Sequence, residues 1–599
     1  MRLLPRNLDE VRSDLRLTRL YGKALPAFLK ARPGSGYTVA DLFEEKAGKH
    51  PDRLALIGTD ETMTYGQLDA AANQVAHWAR SQGIGQGDAV ALLMGNRPAY
   101  VATWLGLAKV GAISALINTS LQGHALARAV EISGAERVVL DVGFADQWAA
   151  ASEHLEGAPP AIWSRGGQVP GGAELDADLA DRSTSSLGAS ARPGLGPTDL
   201  LFFIYTSGTT GLPKAANFPH SRFLAASAGG QAMGNWGADD RVYVPLPLFH
   251  TAGGVAALGG AVQGGSTAVI AERFSTSRFW SDCVEHGVTA FQYIGELCRY
   301  LLNAPEHPDE RHHRVRVAVG NGLRPDVWPA FQERFGIEQI VEFYGATEGN
   351  VALVNLDGRV GAVGRLPGAM RSALGVHLVR FDVESEEVVR DPQGRCIEAE
   401  PGEAGELVAK ISRTARFDGY SDEAATEKKV LRDVFADGDA FFRTGDLLRL
   451  ADDGYYEFVD RIGDTFRWKG ENVSTAEVSE VLGMHAAVGE ANAYGVEVPG
   501  GDGRCGMAAI VAEGELDPAD LGRHVAAELP AYARPRFVRL VDSLVVTGTF
   551  KHRKVELVRD GFDPAVIDDP LWFLDPASDE YVPLDAALHQ RIVEGEVRL

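Results

Sequence analysis

The chain has 599 residues and 64.2 kDa, with 45% hydrophobic and 23% charged residues, a composition that can bury more than one core and lies outside the disordered class. Its 82 acidic against 58 basic residues give a net charge of −24, a field that repels polyanions and excludes nucleic acid as an expected partner. The four cysteines, Cys283, Cys298, Cys396 and Cys505, form neither a C-x-x-C pair nor a zinc spacing with histidine, so a reducing compartment, the cytoplasm, is expected.

The first thirty residues differ in charge from everything after them. They hold seven basic and three acidic residues, net +4, against −28 for the remainder. Arg6, Asp9, Glu10 and Arg12 interrupt any secretory apolar segment. Leu4, Leu8, Val11 and Leu15 are spaced 4, 3 and 4 apart, which predicts a helix with one apolar face. Packing of that face on the body is the favoured expectation, because Pro5 limits the helix start and the first aromatic other than tyrosine is Phe28. The alternative is peripheral contact of residues 1–25 with an anionic membrane at its inner face.

Residues 60–120 alternate between helical and strand-like patterns: a helix through 68–81, an apolar run at 89–94, a helix at 97–110 and a second apolar run at 112–117. That rhythm predicts a mostly parallel sheet covered on both faces. The Gly-, Pro-, Ser- and Ala-rich residues 157–198 read as a long surface excursion. A second α/β stretch covers 200–356, and residues 360–411 and 455–459 read as short β-rich pieces. The apolar stretches 99–117 and 251–270, broken by Lys109 and by glycines, read as buried helix–strand pairs rather than membrane spans. The expected fold class is therefore α/β. It comprises a large N-terminal domain of doubly covered, mostly parallel sheets with a β-rich subdomain, and then a smaller, mobile α+β C-terminal domain. The expected boundaries are an N-terminal segment at 1–40, the large domain at 41–460, and the C-terminal domain with its tail at 461–599.

The strongest chemical signal is the apolar strand Leu201-Phe-Phe-Ile-Tyr205 emptying into Thr206-Ser-Gly-Thr-Thr-Gly-Leu-Pro-Lys214. Nine residues of small hydroxyl side chains and glycines ending in lysine offer backbone N–H groups, hydroxyls and one positive charge to phosphate oxygens. Pro213 and Ala215 stand where a Walker A loop needs glycine and a magnesium-binding hydroxyl, so it is not that motif.

Residues 206–214 resemble the phosphate loop of the acyl-adenylate-forming superfamily, and further motifs match in order. The resemblance implies phosphate contacts from Thr206, Ser207, Gly208, Thr209, Thr210, Gly211 and Lys214. It implies an adenine wall from Gly320, Asn321 and Gly322. In Tyr344-Gly345-Ala346-Thr347-Glu348, the tyrosine would pack on adenine, Thr347 would reach the α-phosphate and Glu348 would hold magnesium. Asp446 and Arg461 would bind the ribose, and Lys551 of Thr547-Gly-Thr-Phe-Lys551 would act on the reacting carboxylate, with Lys554 a competing candidate. His250, ending Pro245-Leu-Pro-Leu-Phe-His250, would lie near the acyl carboxylate. Glu348 fits this scheme physically, because a carboxylate beside a triphosphate repels it unless a divalent cation lies between them.

Tyr293-Ile-Gly-Glu-Leu-Cys-Arg-Tyr-Leu-Leu-Asn303 and Phe466-Arg-Trp-Lys-Gly-Glu-Asn-Val-Ser474 are similar to the fatty-acid transport protein and very-long-chain acyl-CoA synthetase family. That resemblance covers roughly residues 40–575. It implies ATP-dependent activation of a long- or very-long-chain fatty acid through an acyl-adenylate and transfer to CoA, with Mg2+ as cofactor. The alternatives are loading of a carrier-protein thiol, or a fatty-acid uptake protein with a vestigial nucleotide site. Gly463 stands at the family's hinge position, and Arg467, Lys469 and Gly470 are the candidates for lining the CoA channel. Asn472 replaces an arginine found in many relatives. Ser474-Thr-Ala-Glu477 predicts a capping box.

Overall fold

The computed structural model describes residues 8–207, 213–383, 385–413, 415–469, 471–499, 501, 503–546, 553–576, 578–597 and 599. Of the sequence expectations, Leu4, Pro5, Arg6, Gly208, Thr209, Thr210, Gly211, Gly470 and Lys551 lie outside the described residues.

Two large sheets dominate the first 460 residues. One has seven strands, running from Ala173–Glu174 at one edge through Ala161–Arg165, Arg137–Asp141, Ala89–Leu93, Ile113–Leu116 and Leu200–Ser207 to Pro213–Pro219 at the other. All of its pairings are parallel except the last, in which Thr206 faces Lys214. The other sheet has fifteen strands. Its parallel centre is Arg241–Val244, Ala290–Ile294, Val317–Asn321 and Gln339–Gly345, and antiparallel strands continue it through the region expected to form a separate β-rich subdomain. The helices Pro98–Lys109 and His220–Gly234 share one apolar cluster with strands of both sheets, so each sheet is covered by a common helical layer. This is the α/β architecture the alternating pattern predicts.

Three details differ from the sequence reading. Residues 157–198 do not form a plain surface excursion: they supply two edge strands and the helix Leu175–Ala180, whose Leu175 and Leu179 are buried. The predicted N-terminal helix runs Leu8–Lys30, but its expected apolar face does not pack on the body. Leu8, Val11 and Leu15 are exposed, while Leu17, Leu20 and Ala24 on the opposite side join the core against the helix His220–Gly234. Heptad spacing alone does not say which of two leucine rows faces inward. Ser474 caps the helix Thr475–Gly483 by accepting from the Glu477 N–H, but its hydroxyl then donates to the Val459 carbonyl, so the cap ties that helix back to the strand Tyr455–Arg461 of the large sheet.

After Arg461 the chain forms the hairpin Phe466–Trp468 and Glu471–Val473, then a five-stranded sheet from Val488–Glu497 to Glu580–Pro583. Its apolar cluster begins at Phe466, and none of the earlier clusters extends past Tyr456 among the described residues.

His220 gives the fold a pH-sensitive joint. It is 1% exposed, and its Nδ1 accepts the Val39 N–H at 3.2 Å, tying the start of one buried helix to the helix Val39–Lys49. Burial, with Arg192 adding to it and Asp41 opposing it, pushes its pKa down to about 3. The folded state therefore binds fewer protons than the unfolded one between about pH 6.5 and 3. His220 stabilises fully above that window and loses its contribution as pH falls through it, at up to about 1.4 kcal/mol per pH unit. Urea midpoints measured between pH 7 and 4 should fall along this slope in wild type and more shallowly in His220→Asn, whose amide oxygen can keep the Val39 bond. Parallel slopes in the two proteins would exclude His220 as the source.

Candidate active site

The parallel strands Ala290–Ile294, Val317–Asn321 and Gln339–Gly345 end side by side, and the motif residues sit in the crevice beyond their carboxyl ends. Close backbone approach there depends on glycine. A Cβ on Gly295 would stand 1.7 Å from the Gly322 carbonyl oxygen, and one on Gly320 2.3 Å from the Tyr293 carbonyl oxygen. Gly322, with φ of +77°, turns the chain so that its own N–H and that of Leu323 both point at Glu342 Oε1. The Tyr293 hydroxyl bonds the other carboxyl oxygen at 2.5 Å. Glu342 is 2% exposed, and burial pushes its pKa up to about 8 against the pull of these three donors. The proposed adenine wall thus rests on one buried carboxyl group.

Strand alternation puts Tyr344 on the same face as Glu342. The Tyr344 hydroxyl donates to Asp446 Oδ2 at 2.5 Å, and Arg461 Nε lies 3.7 Å from Asp446 Oδ1. Asp446 and Arg461 face each other in the antiparallel pair of Ala440–Leu450 with Tyr455–Arg461. Burial, reinforced by the Asp446 carboxylate, holds the Tyr344 hydroxyl well above the ordinary phenol pKa. Residues 102 and 117 positions apart in sequence therefore form one polar cluster beside the Gly320–Gly322 backbone.

Thr347 and Glu348 occupy the middle of a turn closed by the Gly349 N–H to the Ala346 carbonyl at 3.0 Å. The Thr347 hydroxyl lies 3.1 Å from that of Thr251, which brings the His250 segment to the motif. Phe249 is buried in the core, whereas His250 is half-buried at the start of the nine-residue π-helical turn Thr251–Gly259. Glu348 is 9% exposed and accepts the Tyr420 hydroxyl at 2.7 Å, so it is not a solvated loop acid. Tyr420 also bridges to Ala216, and the neighbouring Ser421 N–H bonds the Ala215 carbonyl at 3.0 Å. Tyr420 thereby connects the hairpin of Leu200–Ser207 and Pro213–Pro219, which carries Thr206 and Lys214, to Glu348.

The family model for AMP-binding enzymes matches residues 43–420, and that for the AMP-binding enzyme C-terminal domain matches 477–551. The chain belongs to the AMP-binding, acyl-adenylate-forming enzymes. Human long-chain fatty acid transport protein 1 is 43% identical over 95% of this chain and 90% of its own length. Rat long-chain fatty acid transport protein 2 is 41% identical over 99% of this chain and 96% of its own. Within the AMP-binding enzymes the chain thus falls in the branch of the long-chain fatty acid transport proteins. Among solved structures, the anthranilate CoA ligase AuaEII in complex with anthranoyl-AMP shares the fold with a TM-score of 0.75 at 23% identity, covering 87% of this chain and 96% of the other. A Mycobacterium tuberculosis fatty acyl CoA synthetase does so with a TM-score of 0.61 at 24% identity, covering 87% and 98%.

The remaining site candidates of this AMP-binding enzyme lie after the large domain. Gly463, with φ of +91° and open space around its Cα, follows the last strand of the large sheet. Arg467 and Lys469 belong to the hairpin beyond it. The Arg467 carbonyl packs against Gly503, and Lys469, itself at φ of +52°, donates to the Leu599 carbonyl. Lys554 bonds Asp464 at 3.1 Å and Thr475 at 2.7 Å, which commits its ammonium group to the segment after Gly463. Three contributors escaped sequence reasoning. Tyr420 and Glu342 carry no motif signal of their own beyond a Gly-Tyr pair and an acid in an apolar strand. Arg222, in the helix His220–Gly234, carries no sequence signal either.

Proposed function

We propose that the chain is an ATP-dependent fatty acid–CoA ligase that forms AMP and pyrophosphate. The observation that carries this reading is the Tyr344–Asp446–Arg461 cluster beside the Gly320–Gly322 backbone, with the Tyr420–Glu348 pair on its flank. Asp446 and Arg461 offer an acceptor and a donor to ribose hydroxyls. Thr206, Ser207 and Lys214, with Gly208 to Gly211, would hold the triphosphate. Thr347 and Lys551 would stabilise charge at the α-phosphorus while the fatty acid carboxylate attacks and pyrophosphate leaves. His250, next to Thr251, would face the carboxylate, and Arg467, Lys469 and Gly470 would line the CoA path.

Glu348 suits Mg2+, which typically takes one or two carboxylates and leaves its other positions to phosphates and water. Bound there, Mg2+ would neutralise charge on the triphosphate. The Tyr420 bond fixes the direction of the carboxylate beforehand. The test is a panel of fatty acids from short to very long, scored for AMP release with and without CoA. AMP release with long chains and free CoA supports the reading. Adenylate that accumulates without reaching CoA would point to a carrier thiol, and no ATP–pyrophosphate exchange with any acid would overturn it.

The exposed face of the helix Leu8–Lys30 favours peripheral contact with an anionic membrane. Leu8, Leu15, Leu25 and Leu29 are 75%, 51%, 51% and 52% exposed. Arg12, Arg16, Arg19, Lys23 and Lys30 fall along the flank beside them within about 60° of arc, where Arg16 is paired with Asp357, Lys23 with Asn235 and Lys30 with Glu45. No helix among the described residues is long and apolar enough to cross a membrane. Deleting the helix would also remove its packed face, so the test is Leu15→Asp with Leu29→Asp. Wild type should sediment with phosphatidylglycerol vesicles at low salt and be released at high salt, and the double variant should stay in solution. Binding that ignores salt or survives the variant would overturn this contact. A concentration-dependent dimer lost in the same variant would assign the face to a second copy instead.

A further inference from the structure

Arg222, two residues into the helix His220–Gly234, is the junction of three segments that bear the proposed site. Its NH1 donates to the Thr347 and Gly349 carbonyls, both at 2.9 Å. Its NH2 donates to Asp418 Oδ2 at 2.9 Å and reaches the Arg416 carbonyl at 3.5 Å. The guanidinium lies 5.9 Å from the centre of the Phe218 ring, and the side chain is 13% exposed. The neighbouring backbone is joined along the same seam. The Asn217 N–H bonds the Gly419 carbonyl, the Asn217 side-chain amide bonds the Asp418 carbonyl, and the Ser421 N–H bonds the Ala215 carbonyl, each at 3.0 Å.

We propose that Arg222 is a positioning residue for the adenylation step, holding Thr347 and Glu348 in register with the phosphate-loop hairpin. One nitrogen gripping the Thr347 and Gly349 carbonyls fixes the peptide that enters Glu348 and the one that leaves Gly349, so the turn is held on both sides of the carboxylate. The Glu348 side chain is then held at Tyr420, which sits on the loop clamped by the other nitrogen of the same guanidinium. Glycine at 349 is part of the arrangement, since a Cβ there would press on the Phe442 ring at 3.1 Å and on Ala346 at 3.2 Å. Only a planar fork with several donors reaches this set of acceptors; an ammonium group at the end of a lysine stem serves one side of it at a time. Arg222 touches neither the base nor the ribose cluster, so nucleotide affinity and catalytic placement separate.

This inference rests on the ligase reading, and the experiment separates the two. Arg222→Gln and Arg222→Lys are compared with wild type in fatty acid-dependent ATP–pyrophosphate exchange, with AMP binding measured by calorimetry and folding by thermal melting. Arg222→Gln should lower kcat by on the order of ten- to a hundredfold, the range in which small misplacements of reacting groups fall. AMP affinity should stay within about threefold, and Arg222→Lys should recover part of kcat. Asp418→Asn, which loosens the clamp without touching the Thr347 and Gly349 carbonyls, should lower kcat less and in the same direction. Wild-type kcat in a folded Arg222→Gln protein, or equal losses in kcat and AMP affinity, would overturn the positioning role. Absence of exchange in wild type would instead overturn the ligase reading.

Discussion

Lys551→Ala is expected to abolish the adenylation half-reaction, with ATP–pyrophosphate exchange falling by about 10²–10³, the usual loss of ~3–4 kcal/mol when one preorganised donor is removed from developing negative charge. The chain is acidic at −24, so a nucleotide with four negative charges depends on local cations, and few candidates exist. The competing lysine is engaged elsewhere: Lys554 is bonded to Asp464 and Thr475. Thioester formation from preformed acyl-adenylate should suffer less than exchange. Normal adenylate synthesis by the variant would remove Lys551 from the reaction and return the assignment to Lys554.

Gly463→Pro should separate the two half-reactions by at least about tenfold, a difference of ~1.4 kcal/mol. Proline holds φ near −65°, whereas Gly463 stands at +91°, so the variant is barred from the arrangement described above. Nothing lies within 4 Å of a Cβ at this position, so the effect comes from the backbone rather than from crowding. Adenylation should survive and thioester formation should be suppressed. Exchange and single-turnover transfer to CoA, measured on the same preparation, decide it. Equal losses in both, with unchanged melting, would mean that the chain does not turn at Gly463.

The architecture was legible because its signals are local and redundant. Apolar runs of four to six residues between helical patterns set up the parallel strands, and the phosphate-loop hairpin announces itself by composition. Motif order pointed to the family, and Tyr344, Asp446 and Arg461 come together in the fold although more than a hundred residues separate the first from the others. What the sequence hid are the residues whose work depends on three-dimensional coincidence. Arg222, Tyr420 and Glu342 act through carbonyls, hydroxyls and N–H groups supplied by distant segments, and no spacing rule encodes such partners. The N-terminal helix shows another limit. Two leucine rows on one helix are equally apolar, and only the shape of the helix His220–Gly234 beside it selects the Leu17–Leu20–Ala24 row.

The separation of apolar clusters between Tyr456 and Phe466 bears on timing. Across that boundary the described contacts include the Ser474 hydroxyl donating to the Val459 carbonyl and Thr475 bonding Asp460 through its N–H at 2.6 Å and its hydroxyl at 3.1 Å. Arg299 donates to the Gly489 carbonyl at 2.5 Å and lies 3.5 Å from Glu490, and Arg324 donates to the Ser479 carbonyl at 3.1 Å. A rotation at Gly463 would break these and would leave every apolar cluster of the described residues intact. Each such bond contributes about 1–3 kcal/mol, so the two arginines together with the Ser474 and Thr475 bonds form a latch rather than a weld. A bound nucleotide or acyl-adenylate that prefers one posture by a few kcal/mol is enough to reverse the balance. If the chain turns there between two half-reactions, the pace of the cycle depends on how long the latch stays closed, and weakening Arg299 or Arg324 is expected to change turnover without altering either chemical step.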